Sequence, residues 1–346
     1  MHSKAELPSS RVKSANMEIC GLGFGGASVG NLYRASSDEV ARATIDEAVS
    51  SGITYIDTAP HYGHGLSEVR IGQFLKECDR SSITLSTKVG RVLEPSGPEG
   101  PPDHGFVDPL PFTQVYDYSY DGVMRSFEQS CERLGVDTVD ILYMHDIGAL
   151  THGEDSHPEL FRQAMSDGVR AMEELKSGGQ TKAIGLGVNE WEVCVETFGH
   201  ADFDVFMLAG RHTLLEQPAM DTFLPECLQR GVSVVCASPF NSGLLAKRPT
   251  TKSHYNYDTP PEAIIARANH IFDVCQEMGV NAQAAALQFP LLHPCIVSVV
   301  SGMSSSQRVR QAIAWWQETI PDQVWTALQD EGIIDARIPL QSKTLP

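Results

Sequence analysis

The sequence predicts an α/β fold of the (β/α)8 barrel type, and three observations support this prediction. Short apolar or β-branched runs alternate along the chain with longer stretches of helical periodicity, which is typical of βα units around a parallel sheet. Eight such runs can be counted, and eight strands close a barrel. The 346 residues fit one barrel of about 250 residues with insertions. We therefore expect a single barrel domain over residues 1–346.

The predicted helices have recognisable start and stop residues. One begins near Asp38 and ends at Gly52, a second covers Tyr120–Leu134, and a third covers Glu159–Lys176. The eight predicted strands are short and spread over the chain, at Ile19–Gly23, Thr54–Asp57, Ile83–Lys88, Val139–Met144, Ala183–Gly187, Val205–Leu208, Val232–Ala237 and Ile296–Val300.

Two segments are too long and too polar to be simple connections. These are residues 91–119, which are rich in Pro and Gly, and residues 241–261. Each follows a strand, and in a barrel this places it at the C-terminal face, so we interpret both as lids over a substrate or cofactor. Insertions without a function remain the alternative. An N-terminal extension and a C-terminal tail over about residues 321–346 are expected outside the barrel.

The net charge argues against nucleic acid or a membrane as a partner. Lys and Arg number 26 against 44 Asp and Glu, a formal charge of −18, so the surface repels phosphate backbones and anionic lipids. No apolar run approaches the ~18 to 20 residues of a membrane span, and no signal peptide is recognisable, so we expect a cytoplasmic protein. The eight cysteines are scattered and are interpreted as reduced core thiols.

The segment GLGFGG at residues 21–26 literally matches the GxGxxG pattern of dinucleotide-binding folds, but its context differs. In that motif the last glycine opens a helix whose N-terminus holds a pyrophosphate. Here the next helix starts near Asp38, a dozen residues later. We interpret residues 21–26 as a Gly-rich loop that lets the backbone approach a ligand.

Four polar residues follow three consecutive predicted strands. Asp57 ends the strand in YIDTAPHYG, and Tyr62 lies five residues later. Lys88 ends the strand in STKVGR, and His145 ends the strand in DILYMHD. The carboxyl ends of barrel strands meet at one rim, so we expect these side chains to face one pocket. A buried ammonium needs a carboxylate partner, which Asp57 can supply to Lys88.

These residue types fit proton transfer at a carbon that carries a hydroxyl or carbonyl oxygen. A tyrosine with a pKa near ~10 acts at neutral pH only where a neighbouring cation stabilises its phenolate. Lys88, held by Asp57, is such a cation, so Tyr62 is the predicted proton carrier. His145 can donate a hydrogen bond to the oxygen on the reacting carbon.

A metal site is an alternative interpretation of the same rim, because His and Asp at several strand ends are typical of barrel metallohydrolases. It leaves the lysine without a role, and we therefore predict no metal. The candidate ligands would be His61, His64, Asp57, His145 and Asp146.

Aromatic residues in the loops are candidates for substrate contact. Tyr33 and Trp191 could stack on the apolar face of a sugar ring, or they could be loop anchors. Together with Tyr62 and His145 they are the predicted substrate residues. Trp315 and Trp316 are interpreted as packing residues of the last helix.

The order and strand-end positions of YIDTAPHYG, STKVGR and YMHD resemble the Asp, Tyr, Lys and His tetrad of the aldo-keto reductase superfamily, over nearly the whole chain. The resemblance implies the TIM barrel of that family and a nicotinamide cofactor. Residues 237–245 and 298–313 resemble the family's cofactor-binding segments. The residues that the resemblance assigns to the cofactor are Gly25, Asn189, Ser238, Phe240, Asn241, Ser242, Gly243, Leu245, Gly302, Ser304 and Arg308.

The chain departs from the family pattern at four positions. Ala209 stands where many relatives have Gln against the nicotinamide, and Ala237 stands where an aromatic ring usually stacks on it. Gly302 replaces the Lys that pairs with the 2′-phosphate of NADP, and Ala312 replaces an Asn of the adenine pocket. Because Arg308 is the cation that remains, the resemblance implies NAD as the preferred cofactor, with NADP still tolerated.

Phrases such as HDIGALTHG and FMLAGRHTLLEQ resemble the D-threo-aldose 1-dehydrogenase branch, which includes L-fucose, L-galactose and pyridoxal 4-dehydrogenases. The resemblance implies oxidation of the hemiacetal carbon of an aldose, such as L-fucose or L-galactose, to a lactone. Pyridoxal oxidation and general aldehyde or ketone reduction are the alternatives. A metallohydrolase and a non-catalytic nucleotide-sensing barrel are the other function classes left open. The expected partner is a small sugar or hydroxy-aldehyde, and no heptad pattern indicates an oligomeric state.

Overall fold

The computed structural model describes residues 7–250, 253, 255 and 259–340. Within these residues the strands are β1 (Ser9–Val12), β2 (Met17–Cys20), β3 (Leu22–Gly25), β4 (Tyr55–Asp57), β5 (Thr84–Val89), β6 (Arg91–Pro95), β7 (Phe112–Tyr116), β8 (Ile141–His145), β9 (Ala183–Val188), β10 (Val205–Ala209), β11 (Ser233–Ala237) and β12 (Ile296–Gly302). The α-helices are α1 (Asp38–Ser50), α2 (Leu66–Leu75), α3 (Tyr120–Leu134), α4 (Ala149–Gln163), α5 (Val169–Ser177), α6 (Glu192–Glu196), α7 (Phe223–Arg230), α8 (Glu262–Glu277), α9 (Ala282–Gln288), α10 (Ser306–Gln317) and α11 (Asp322–Asp330).

Eight of the strands, β3 to β5 and β8 to β12, form a closed barrel in which β12 pairs with β3. All eight pairings are parallel, which confirms the predicted (β/α)8 barrel. Asp57 lies in register with Gly25 on one side and Ser86 on the other, and His145 lies opposite Gly187. The carboxyl ends of the strands therefore form one rim, where active sites of this fold lie.

Seven of the eight predicted strands coincide with barrel strands to within two residues, whereas the first, Ile19–Gly23, is wrong as a single strand. The predicted strand is interrupted at Gly21, whose backbone N–H donates to the carbonyl of Pro8 at 2.8 Å. The residues before the break form β2, which pairs antiparallel with β1. Ile19 of this hairpin packs in a buried cluster with Tyr55 from the barrel interior. The described part of the N-terminal extension thus contains a hairpin that contributes to the core.

The segment 91–119, predicted as a loop, contains the antiparallel hairpin β6–β7. Its Pro- and Gly-rich part is confined to the connection between these strands, residues 96–111. That connection is attached to the loop after β3, because the N–H of Tyr33 donates to the carbonyl of Gly105 at 2.9 Å and the side-chain amide of Asn31 donates to that of Val107 at 3.0 Å. The second predicted lid, 241–261, lies partly outside the described residues.

Two helix predictions also need correction. The third predicted helix is preceded by a further helical turn from Ala149, so that α4 begins ten residues earlier than expected, and it continues through a π-helical turn at 164–168 into α5. Gly153, with a φ of 74° and a ψ of 156°, kinks α4 after its first turn, and Pro158 lies within the part that follows. The predicted tail contains α11, whose Trp325 is 1% exposed in the core. The helices predicted from Asp38 and over Tyr120–Leu134 are confirmed.

In the part of the chain that is described, no helix combines the length and the apolar character needed to cross a bilayer. All eight cysteines are free thiols, and six of them are buried. Cys78 and Cys131 are half-buried and pack against the core.

Candidate active site

The four residues of the predicted tetrad lie together at the barrel rim. Lys88 Nζ lies 2.8 Å from Oδ2 and 3.0 Å from Oδ1 of Asp57, and it also donates to the carbonyl of Thr58 at 2.9 Å. Its remaining contact is the hydroxyl oxygen of Tyr62, at 3.1 Å. The hydroxyl of Ser86 donates to Oδ1 of Asp57 at 2.7 Å. Every hydrogen of the ammonium thus has a partner, and one of them points at the tyrosine.

Burial and charge act in opposite directions on this group. Burial lowers the pKa of Lys88, but the negative charges of Asp57 and Tyr62 outweigh it, and the pKa is raised overall. Lys88 is therefore a cation at neutral pH. For Tyr62, burial is the larger effect and raises the pKa to about 12, although Lys88 pulls it down. The cation acts on the phenolate as expected, but it does not bring the pKa of Tyr62 down to the neutral range.

His145 completes the group as a neutral imidazole. Its ring stands edge-on to that of Tyr62, with 6.3 Å between the ring centroids. Burial, together with the positive charges of Arg91 and Lys88, holds the pKa of His145 well below its usual value. Nε2 lies 3.3 Å from Oδ2 of Asp146, and Nδ1 is buried with no partner among the described residues. A neutral imidazole can donate one hydrogen bond to an oxygen in the pocket.

A groove of about 480 Å³ opens beside the tetrad, within the range of small-molecule sites. The groove is lined by Asp57 and Tyr62 of the tetrad and by Arg308 on α10. Phe240 and Trp315 form an aromatic wall, with ring centroids 5.7 Å apart. Small and polar residues at the ends of β3 and β12 and in the segments after β3, β11 and β12 also line the groove, among them Gly25, Ser28, Ser238, Gly243, Gly302 and Ser304.

The family model described as "Aldo/keto reductase family" matches residues 21–331. The chain belongs to this family. It is 40% identical to a pyridoxal 4-dehydrogenase of Microbacterium luteolum, over 96% of this chain and 100% of that protein. It is 39% identical to a D-threo-aldose 1-dehydrogenase of a Pseudomonas species, over 93% and 96% of the two chains. An L-galactose dehydrogenase of Arabidopsis thaliana is 30% identical, over 87% and 85%.

Solved structures of aldo-keto reductases have the same fold. The holo form of an enzyme from Bacillus halodurans superimposes with a TM-score of 0.71 at 24% identity, covering 97% of this chain and 99% of that one. A glycerol dehydrogenase of Gluconobacter oxydans gives a TM-score of 0.73 at 19% identity, with 95% of each chain covered. The chain is therefore an aldo-keto reductase family oxidoreductase with a TIM barrel.

Most residues that resemblance to the aldo-keto reductases assigns to the cofactor lie in the groove. Tyr33, a predicted substrate residue, and Ala237, where relatives carry an aromatic ring, also line it. The cofactor residues found in the lining are Gly25, Ser238, Phe240, Gly243, Gly302, Ser304 and Arg308.

Seven predicted residues do not line the groove, and two of them, Lys88 and His145, belong to the tetrad beside it. Asn241 is buried and donates to the carbonyl of Gly210 at 3.2 Å and to Glu216 at 3.0 Å, so it ties the loop together. Leu245 and Trp191 pack against the core. Ser242 is exposed on a left-handed turn, and the amide of Asn189 approaches Asp146 instead.

Several lining residues are not among those predicted from the sequence, and they include Trp315, Ser28 and the cation Lys247. Trp315, interpreted above as a packing residue, lines the groove, whereas Trp316 is buried in the core as expected. The positions of Arg308, Ala312 and Trp315 follow the i, i+4, i+7 spacing of one helix face, a signal that was available. Ser28 also lines the groove and donates to the carbonyl of Met303 at 2.7 Å; no pattern in the sequence marked it.

The histidines of the metal alternative contact the β6–β7 hairpin and its connection. Nδ1 of His64 lies 2.7 Å from the carbonyl oxygen of Phe112, and Nδ1 of His61 lies 2.8 Å from Oε1 of Gln114. Among the residues that the structure describes, no group of three or more His, Cys, Asp or Glu side chains is arranged to hold a metal ion.

Proposed function

We propose that this protein is a dehydrogenase that oxidises the hemiacetal carbon of an aldose, such as L-fucose or L-galactose, to a lactone, with NAD as the preferred oxidant. The observation that carries the proposal is the hydrogen-bonded series Asp57, Lys88, Tyr62 beside the groove, with 3.1 Å between Lys88 Nζ and the Tyr62 hydroxyl. The names of the two relatives near 40% identity support an alcohol as the substrate.

The groove suits an extended dinucleotide. The phosphates would meet Ser238, the backbone at Gly243, and Arg308, while the aromatic wall of Phe240 and Trp315 offers a surface for a flat base. A Cβ added at Gly302 would meet no atom within 4 Å, so this position leaves open space where NADP-dependent relatives carry a lysine. The chemistry that a bound nicotinamide supplies is acceptance of the hydride.

The residues of the chain provide the proton chemistry. Tyr62, as its phenolate, accepts the proton of the anomeric hydroxyl while the C=O bond of the lactone forms. Lys88 stabilises the phenolate from 3.1 Å, and Asp57 keeps the lysine charged and directed at the hydroxyl. His145 donates a hydrogen bond to the oxygen on the reacting carbon and so orients the substrate. The neutral imidazole has a single N–H, placed at Nε2 beside Asp146, and the carboxylate and the reacting oxygen share it in a three-centre hydrogen bond.

Pyridoxal is the second candidate substrate. The relative with full-length coverage at 40% identity is a pyridoxal 4-dehydrogenase. In its closed form pyridoxal presents the same cyclic hemiacetal as an aldopyranose, so Tyr62 and His145 would act in the same way. Reduction of a different aldehyde or ketone by the same residues is a weaker alternative.

The experiment is the absorbance of reduced nicotinamide with NAD and then NADP, each offered with L-fucose, L-galactose, D-arabinose and pyridoxal. The proposal predicts turnover with NAD and at least one sugar, insensitive to EDTA. Turnover with pyridoxal alone would support the second candidate. Absence of turnover with every pair, in protein that binds NAD, would contradict both. The purified Tyr62→Phe variant is the matched control for a contaminating dehydrogenase.

A further inference from the structure

A buried ion pair lies directly beside the tetrad, and the proposed reaction does not use it. Arg91, the first residue of β6, is 5% exposed, and Asp146, which follows β8, is 6% exposed. Nη2 of Arg91 donates to Oδ2 of Asp146, and Nη1 donates to Oε1 of Gln114 at 3.1 Å. A buried ion pair is weak evidence for stability, because desolvation offsets its Coulombic attraction. A role in the site is therefore the question to ask.

The carboxylate of Asp146 contacts two residues assigned to the site. The side-chain amide of Asn189 donates to Oδ1 at 3.4 Å, and Nε2 of His145 lies 3.3 Å from Oδ2. Because Nδ1 of His145 has no partner among the described residues, Asp146 is the polar group that can orient the imidazole. The backbone of Asp146 has a φ of 46°, a left-handed conformation that is uncommon for residues other than glycine.

The segment that carries Arg91 also holds Asp146 from the backbone side. The hydroxyl of Tyr118 is within 2.9 Å of the carbonyl oxygen of His145 and 3.1 Å of that of Asp146, and it can donate to either. Gly90 makes the preceding bend with a φ of 96°, and a Cβ there would lie 2.4 Å from the ring of Tyr118. One insertion thus fixes both the backbone and the side chain at the end of β8.

We propose that Arg91 and Asp146 form a positioning pair: Asp146 orients His145 and Asn189, while Arg91 holds Asp146 in place and neutralises its charge beside the imidazole. The proposal rests on the proposed function, because it assumes that His145 meets the reacting oxygen. Arg91 is a positioning residue, since its described contacts are with Asp146, Gln114, His61 and the ring of Tyr116.

The charge arrangement around His145 makes the proposal testable. Facing the imidazole are Lys88 from β5, Arg91 from β6, the ring of His61 with Tyr62 from the loop after β4, and the carboxylate of Asp146. Without Arg91, the carboxylate at 3.3 Å loses its ion-pair partner and favours a protonated imidazole. In a protein that lacks both the Arg91 guanidinium and the Asp146 carboxylate, no carboxylate remains beside His145 to favour its protonated form.

The test is the titration of His145 by NMR of ¹³C-labelled histidine in the cofactor-free protein, with the signal assigned from its loss in His145→Gln. The variants are Arg91→Met, Asp146→Asn and the double variant Arg91→Met/Asp146→Asn. We expect no His145 titration between about pH 5 and 8 in the wild type, a titration within that range in Arg91→Met, and none in the double variant. A folded Arg91→Met protein whose His145 does not titrate, or a double variant that titrates like it, would overturn the proposal.

A second readout covers the case in which Arg91→Met does not fold. Asp146→Asn is isosteric and keeps Arg91, so it should fold while losing the negative charge and one of the two acceptor oxygens that face His145 and Asn189. We expect kcat to fall at least tenfold, and wild-type kcat in this variant would refute the positioning role. If wild-type protein turns over no substrate of the panel, the proposed function fails, but the NMR titration still decides whether the pair controls His145.

Discussion

Replacing Asp57 by Asn and Lys88 by Met, singly and together, separates what the buried pair does for stability from what it does for catalysis. Both residues are 2% exposed, and 2.8 Å separates the closest charged atoms. Either single change leaves one buried charge without its partner. The double change leaves two neutral side chains of similar size in the same space.

The expected magnitudes follow from this geometry. Breaking a buried ion pair from one side costs about 3 to 5 kcal/mol of the free energy of unfolding, whereas replacing both members with neutral groups is often close to neutral. The double variant should therefore be more stable than either single variant. Activity should behave differently: all three variants lose at least ~100-fold in kcat, because Tyr62 loses the directed cation that lowers its pKa.

The assay is urea unfolding followed by circular dichroism, alongside formation of reduced nicotinamide. The control is Ser86→Ala, which keeps the ion pair but removes the 2.7 Å hydrogen bond to the Asp57 carboxylate and the 3.1 Å contact with the Tyr55 hydroxyl. It should cost about 1.5 to 3 kcal/mol, because the lost hydrogen bond is to a charged group. A double variant destabilised by the sum of the two single losses would show that the charges are not coupled. Recovery of activity in the double variant would show that Tyr62 does not depend on Lys88.

The remaining predictions concern the cofactor, pH and two buried side chains. Gly302→Lys adds a cation in open space at the groove and should raise the affinity for NADP relative to NAD by at least about tenfold, measured by binding titration; an unchanged ratio would contradict the assigned phosphate position. The rate of oxidation should rise from pH 7 to 9, because burial raises the pKa of Tyr62 to about 12 and the phenolate becomes more populated with pH; a falling rate would argue against Tyr62 as the base. Both ring nitrogens of His212 are buried with no partner among the described residues, and burial lowers the pKa of His212 to about 3, so the folded state loses stability as pH falls below the ordinary histidine pKa of about 6.5. His212→Leu should remove about 2 kcal/mol of that loss at pH 5, and an equal pH dependence of unfolding in both proteins would count against this. Trp325→Ala should cost about 3 to 5 kcal/mol of stability, whereas a cost near zero would mean that α11 is dispensable.

The proximity of the four tetrad residues could be predicted from the sequence, because the strands of a barrel bring their carboxyl ends to one rim. Asp57, Lys88 and His145 each stand at or next to the end of a strand, and parallel pairing brings those ends to one rim. The pKa of Tyr62 could not be predicted in the same way. The sign of Lys88's influence follows from its charge, but the larger effect of burial depends on packing that residue order does not reveal.

The insertion after β5 shows a second limit. Gly and Pro in residues 96–111 concealed the two strands on either side of them, although Val92 and Val115 pair across the hairpin. The ion pair between Arg91 and Asp146 depends on where that hairpin lies against the barrel. Helix α11 could not be predicted with the same ease, because it has only nine residues and follows Pro321. The apolar periodicity of such a short helix, centred on Trp325, is weak.

The measurement that tests the central claim most directly compares Tyr62→Phe with the wild type, using NAD and the substrate of the panel that gives the highest rate. Cofactor affinity, followed by quenching of tryptophan fluorescence, serves as the control for an intact groove. The account predicts a loss of at least ~100-fold in kcat with cofactor binding unchanged, because the variant lacks the hydroxyl that carries the proton. Turnover near the wild-type rate would contradict it.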